Sequence, residues 1–197
     1  MEMKHLFWLD SKLLSSTFQA GPVGLNEDEN GIYDHLNLIE GKYNGINFPV
    51  IFKHSYGKNL TDILDTGHAS LFLISDRMKK ILEDSGLTGW QTFPIKLYNK
   101  KGSEILGYYG FSVIGRCGPI SYEKSEIIEK RRVPTGPLCK FYKGVFVDNL
   151  DGMDFFIPDT TSFIFITEKA ADVLTKNKVT NLRLEKLSDM EMSYRIS

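Results

Sequence analysis

Short apolar runs alternate with polar, turn-rich stretches along this chain, and two of the runs open segments that match one another without a gap. Residues Ser70 to Phe93 read SLFLISDRMKKILEDSGLTGWQTF, and residues Ser162 to Glu185 read SFIFITEKAADVLTKNKVTNLRLE, at an offset of 162 − 70 = 92. Ser70/Ser162, Ile74/Ile166, Leu82/Leu174 and Thr88/Thr180 are identical, while Ser75/Thr167, Asp76/Glu168, Arg77/Lys169, Ile81/Val173 and Leu87/Val179 keep the chemistry. Leu71–Ile74 and Phe163–Ile166 are continuous apolar runs of the kind that form strands buried on both faces. Ser75 and Thr167 follow at N-cap positions, each with a carboxylate next to it at the positive end of the helix dipole. Met78, Ile81 and Leu82, matched by Ala170, Val173 and Leu174, form the apolar stripe of a short helix. Helices are therefore predicted near 76–85 and 168–177. Gly86 stops the first, and Asn177-Lys178 must stop the second without the freedom of glycine. Trp90, Phe93, Ile95 and Leu97 read as an exit strand, as do Leu182, Leu184 and Leu187. Two copies do not make a solenoid. The pattern predicts an internal strand-helix-strand repeat within one domain spanning 1–197.

The remaining pattern adds strands. Residues 5 to 9 read as an opening strand, and Asn47–Phe52 as another with Pro49 at its start or on an edge. Asn59–Asp65 reads as a short strand or turn. Asn99-Lys100-Lys101-Gly102 separates Ile95–Tyr98 from Ile105–Ile114, a hairpin signal with glycine in the turn. Residues 121 to 143 are charged and punctuated by proline and glycine, as an insertion would be. Gly144–Val147 and Asp154–Ile157 return to strand character around the turn Asp148–Gly152. Hairpins mixed with two short helices predict an α+β fold with a largely antiparallel or mixed sheet.

Composition bounds the chemistry. The 197 residues are 42% apolar and 12% aromatic, enough for a sizeable core, and the net charge is −1. That charge, with no Lys/Arg-rich run apart from Lys130-Arg131-Arg132, argues against nucleic acid as the main partner. No apolar stretch is long enough for a bilayer span or the core of a signal peptide. Cys117 and Cys139 imply no disulfide framework, so a reducing, cytoplasmic location is expected.

Candidate sites are few. Asn26-x-Asp28-x-Asn30-Gly31 begins like an EF-hand loop, but its twelfth position is Asn37 where a bidentate glutamate is required. His5, His35, His54 and His68 lack metal-ligand spacing, and no HExxH, CxxC or GxSxG occurs, so neither a metal nor a cofactor is expected. Gly115–Pro119 lacks the spacing of a phosphate loop and reads as a strand end and turn. Asp148, Asp151, Asp154 and Asp159 lie among Met153, Phe155 and Phe156. An acidic rim around exposed aromatics would suit a basic protein partner. The competing reading has the aspartates making turns and caps while the aromatics fill the core.

Leu73–Leu82, Leu87–Ile95, the preceding Leu60–Leu64 and the later Ile166–Ala170 helix start with its Val179–Leu182 exit resemble the bacterial immunity-protein domain first named from a myxobacterial representative. The resemblance covers about residues 46 to 190. It implies a small cytosolic protein, encoded beside a polymorphic toxin, that binds and neutralises that toxin without catalysis. It transfers no catalytic or toxin-contacting residue, so Asp148, Asp151, Asp154, Phe155, Phe156 and Asp159 stand as the expected contact site on composition alone. The alternative is a small-molecule-binding domain or enzyme of α+β fold.

Overall fold

A computed structural model describes residues 5–25 and 34–193. It is built mostly from short strands in mixed, largely antiparallel sheets, with three helices among the described residues, so α+β holds in its broad sense. The two matched segments adopt matching elements. Strand Phe72–Ser75, helix Asp76–Asp84 and strand Trp90–Phe93 correspond to strand Ile164–Thr167, helix Glu168–Lys176 and strand Leu182–Lys186. The predicted helices each end one residue early, at the C-caps Ser85 and Asn177. The Ser75 hydroxyl accepts from the Met78 N–H and the Thr167 hydroxyl from the Ala170 N–H, so both caps sit where the sequence places them. A third helix, Asp34–Ile39, has no counterpart among the sequence expectations.

The correspondence extends to the strands around each segment. The first lies in a four-stranded sheet ordered Ile63–Asp65, Phe72–Ser75, Tyr108–Val113, Trp90–Phe93. The second lies in a five-stranded sheet ordered Gly115–Cys117, Phe155–Pro158, Ile164–Thr167, Leu6–Ser11, Leu182–Lys186. Tyr108–Val113 and Leu6–Ser11 occupy the same place. Phe111 faces Phe72 and Thr92, as Leu9 faces Ile164 and Leu184. The second unit therefore takes its central strand from the other end of the chain.

Two expectations needed correction. The exit strand Trp90–Leu97 breaks at Pro94, which has no N–H for a ladder. Trp90–Phe93 stays with its own unit, while Ile95–Tyr98 pairs in parallel with Val50–Tyr56 in a separate four-stranded sheet. The hairpin beyond Asn99–Gly102 closes only two pairs, Leu97 with Ile105 and Tyr98 with Glu104. The chain then turns at Gly107 and enters the first unit's sheet. Residues 121 to 143, expected as an insertion, form an arm. Its hairpin Glu126–Arg131 and Leu138–Lys143 is joined by Glu191–Ser193. The EF-hand-like segment lies outside the described residues.

The main core joins the inner faces of both unit sheets, including Phe72, Ile74, Phe111, Phe155, Ile164 and Ile166, with helix residues Met78, Leu82, Ala170 and Leu174. The outer face of the first unit joins it too, through Leu71, Leu73 and Phe93 under Leu38, Ile39, Phe52 and Leu97. A second cluster gathers on the outer face of the second unit around Leu6, Phe156, Phe165, Val145 and Met190.

Two buried carboxylates lock the units together, again at offset 92. Asp62 accepts from its own unit's Ser75 hydroxyl at 2.8 Å and from the other unit's Thr180 N–H and hydroxyl at 2.8 and 2.9 Å, with Arg77 at 2.5 Å. Asp154 accepts from Thr167 at 3.0 Å, from the Thr88 N–H and hydroxyl at 3.0 and 3.2 Å, and from Lys169 at 3.2 Å. Gly89, just after Thr88, has φ +85°, and a Cβ there would stand 2.1 Å from the Phe155 carbonyl oxygen. Asn181 holds the equivalent left-handed position (φ 61°), its amide donating to the Ile63 carbonyl at 2.9 Å.

Burial pushes both carboxyls toward the neutral form. The Thr180 N–H, the Ser75 and Thr180 hydroxyls and Arg77 outweigh it at Asp62. The Thr88 N–H, Lys169 and Thr167 outweigh it at Asp154, so both pKa values lie below 3.8. A depressed folded pKa contributes stability that is complete above the unfolded value and is lost as pH falls through the folded one. Asp62→Asn and Asp154→Asn are each expected to cost about 1–3 kcal/mol at neutral pH. Each should also flatten the acid side of the stability profile, as read from urea midpoints taken from neutral pH down to about pH 3.

Candidate functional site

The structure divides the six residues of the expected acidic-aromatic surface. Phe155 and Phe156 are 0% exposed, one on each face of the five-stranded sheet, and Asp154 is buried in the lock between the units. Their strand runs through the sheet interior, so these side chains present no surface to a partner. Asp148, Asp151 and Asp159 face solvent and are drawn together by strand Gly115–Cys117. The Gly118 N–H donates to the Asp148 carbonyl at 2.8 Å, the Asp151 N–H to the Arg116 carbonyl at 3.3 Å, and the Asp159 N–H to the Cys117 carbonyl at 3.3 Å. The Asp151 carboxylate makes a turn, accepting from the Arg116 N–H at 2.6 Å and the Met153 N–H at 3.0 Å. Asp148 pairs with Lys124 at 3.1 Å. What remains is an acidic rim, with the aromatics beneath it rather than within it.

Cys117 sits behind this rim. Burial, with Asp159 and Asp151 adding to it, pushes its thiol up to about 12, which keeps it protonated and unsuited to nucleophilic work at neutral pH. The His35 and His68 rings lie 4.6 Å apart, and burial with the neighbouring imidazole lowers the pKa of His35. His5 meets Glu168 at 2.7 Å, and His54 meets the Gly57 carbonyl at 2.8 Å. Among the described residues no three His, Cys, Asp or Glu side chains are grouped as a metal site. No helix among them is long and apolar enough to cross a membrane.

An open cleft of about 1500 Å³ lies elsewhere on the surface. Its floor is the part of the five-stranded sheet's outer face that the second cluster leaves uncovered. There Trp8 meets Phe163 edge-on at 6.0 Å, and the Arg183 guanidinium lies 4.8 Å over the Trp8 ring. One wall is the arm, where Tyr122 and Tyr142 lie 4.5 Å apart and the Tyr122 hydroxyl reaches the Met192 sulfur at 3.8 Å. Ile127 pairs with Tyr142 across the hairpin and stands 52% exposed, extending the apolar strip. The helix Asp34–Ile39 and the turn after it also line the cleft, with Leu36, Asn37, Glu40 and Lys42.

A family model, the immunity protein family Imm11, matches residues 10–189 of this chain. The chain belongs to the Imm11 immunity protein family. No curated protein matches it. Membership in Imm11 extends the likeness beyond the span 46 to 190 read from sequence, since the match begins at residue 10 and takes in Asp10 and Ser11 of the strand Leu6–Ser11. Immunity proteins take toxins as partners in general, and the Imm11 match names none.

The cleft could not be read from sequence, because its aromatic residues come from separate segments and no local spacing links them. The alternation in Leu6–Ser11 sets Trp8 on the same face as Leu6, but no contact surface was read from it. The placement of the two thiols gives a direct check. In the native protein a thiol reagent such as dithionitrobenzoate is expected to titrate one fast equivalent, Cys139, and a second only on unfolding, Cys117; two fast equivalents would show the rim to be open.

Proposed function

We propose that this protein neutralises a cognate polymorphic toxin by stoichiometric binding in the cytoplasm, without catalysing a reaction. The observation that carries the reading is the Imm11 match across residues 10–189, in a family of immunity proteins that is generally non-enzymatic. The chemistry around the candidate sites supports it. The cysteine beside the acidic rim is held as a thiol, and the depressed carboxyls Asp62 and Asp154 are spent on joining the two units. The solvent-facing Asp148, Asp151 and Asp159 are the proposed toxin contacts at this end of the molecule, suited to speeding association with a basic surface. Asp154, Phe155 and Phe156 support them from within. We also infer that the two strand-helix-strand units are copies of one ancestral unit. Matched caps, matched left-handed positions and reciprocal carboxylate locks support that origin.

The test is co-expression with the toxin domain encoded beside the gene, followed by co-purification and growth rescue. Complex and rescue together are expected, and the absence of both would refute the immunity reading for that pair. Asp148→Lys with Asp159→Lys, which spares the turn made by Asp151, is expected to slow association several-fold and to weaken its salt dependence. An unchanged association rate across salt concentrations would remove the rim from the interface.

A further inference from the structure

The two units present the same outer face, and only the first is covered along its whole length, the second being covered in part by the cluster around Phe156 and Phe165. In the first unit that face carries Leu71, Leu73, Phe93, Gly110 and Ser112, all buried. The Phe93 ring lies so close over Gly110 that a Cβ would stand 2.0 Å from it. Tyr43 closes the layer, 5.9 Å from Phe93 by ring centroids, with its hydroxyl 2.9 Å from Ser112 Oγ. The corresponding positions of the second unit are Phe163, Phe165, Glu185, Trp8 and Asp10. Phe165 is buried, but Trp8, Phe163 and Glu185 are only half-buried, and Arg183 beside them is exposed. This is the floor of the cleft. The sheet position that helix Asp34–Ile39 and Tyr43 seal in the first unit is left open in the second.

Charge narrows what would cover it. Glu40, Glu185, Asp189 and Glu191 line the cleft with Lys42 and Arg183, and Arg116 and Lys130 reach Glu40 and Glu191 from beyond the lining. Glu40 is matched by Lys42 at 2.5 Å, Glu185 by Arg183 at 2.9 Å, and Glu191 by Lys130. Asp189 is exposed, and its carboxylate is met by the Ser188 hydroxyl at 3.2 Å and not by any of these cations. Around it stand Trp8, Phe163, Tyr122, Tyr142 and Met192. Aromatic, methionine and arginine side chains of this kind dominate the energetic centres of protein interfaces.

We propose that the cleft is the main docking surface for the toxin, and that it takes a segment presenting apolar side chains beside a lysine or arginine that reaches Asp189. This rests on the immunity reading and assigns it a surface. The apolar side chains would complete the second unit's outer layer over Trp8 and Phe163, as Tyr43 completes the first. The cation would meet the one cleft carboxylate that no side-chain cation among the described contacts neutralises.

The test uses the full chain and the toxin domain encoded beside its gene. Glu185→Lys with Asp189→Lys, and separately Tyr122→Ala with Tyr142→Ala, are each expected to weaken binding about tenfold or more. The charge pair should also reduce the dependence of affinity on salt. Thermal melts of the free variants check that they fold. A third measurement leaves the cleft intact. With Trp90→Phe, Trp8 is the only tryptophan, and its emission should shift to the blue as toxin is added. Wild-type affinity in both variant pairs, with Trp8 emission unmoved, overturns the docking surface and leaves the immunity reading standing. If the wild-type chain forms no complex and gives no rescue, both fall for that pair. A free protein that sediments as a dimer, and becomes monomeric with Tyr122→Ala and Tyr142→Ala, would assign the cleft to a second copy of this chain and overturn the proposal.

Discussion

Two carboxylates buried between the units hold this fold in register. Asp62 and Asp154 each bind the helix cap of their own unit and the threonine in the exit loop of the other, so neither unit completes its hydrogen bonding alone. Leaving a buried carboxylate without donors would cost more than either bond contributes, because the group must then lose its charge or carry it unsolvated. Two caps, two exit loops and the strands Ile63–Asp65 and Phe155–Pro158 are therefore fixed relative to one another. The sheets built on those strands inherit the same geometry.

The backbone constraints follow from this lock. An exit loop that brings both the N–H and the hydroxyl of one threonine to a single carboxylate oxygen must turn sharply, and it passes through left-handed conformations to do so. Glycine meets the demand at positions 86 and 89, while Lys178 and Asn181 meet it in the second unit. Lys178 adopts the strained conformation with no such compensating bond among the described contacts. Asn181 recovers some of the cost through its amide, which bonds the Ile63 carbonyl and accepts from the Lys12 N–H.

Local order was legible in the sequence, and long-range placement was not. Ser75 and Thr167 announced their caps because an N-cap is a property of a few neighbouring residues, and the helices began where they predicted. Asp62 and Asp154 were not singled out as partners, although they stand at the repeat's own offset, because their ligands lie a full unit away. Phe155 and Phe156 shared one short run with four aspartates. In a strand, adjacent side chains point to opposite faces, and here both faces are covered. The sheet that claims Leu6–Ser11 was invisible for the same reason, since nothing near that strand marks the second unit as its partner.

That strand also sets the order in which the molecule can be completed. Leu6–Ser11 is made long before its two partners, Ile164–Thr167 on one side and Leu182–Lys186 on the other. The first unit gathers all four of its strands from residues 63 to 113 and can close while the chain is still emerging. The second must wait until Leu182–Lys186 has been synthesised, with an apolar strand held unpaired in the interval. Contacts this distant in sequence are slow to form, and unpaired edges invite association. On the ribosome the half carrying the acidic rim and the open cleft thus matures after the first unit, so a newly made copy gains its rim and cleft only once that unit can already have closed.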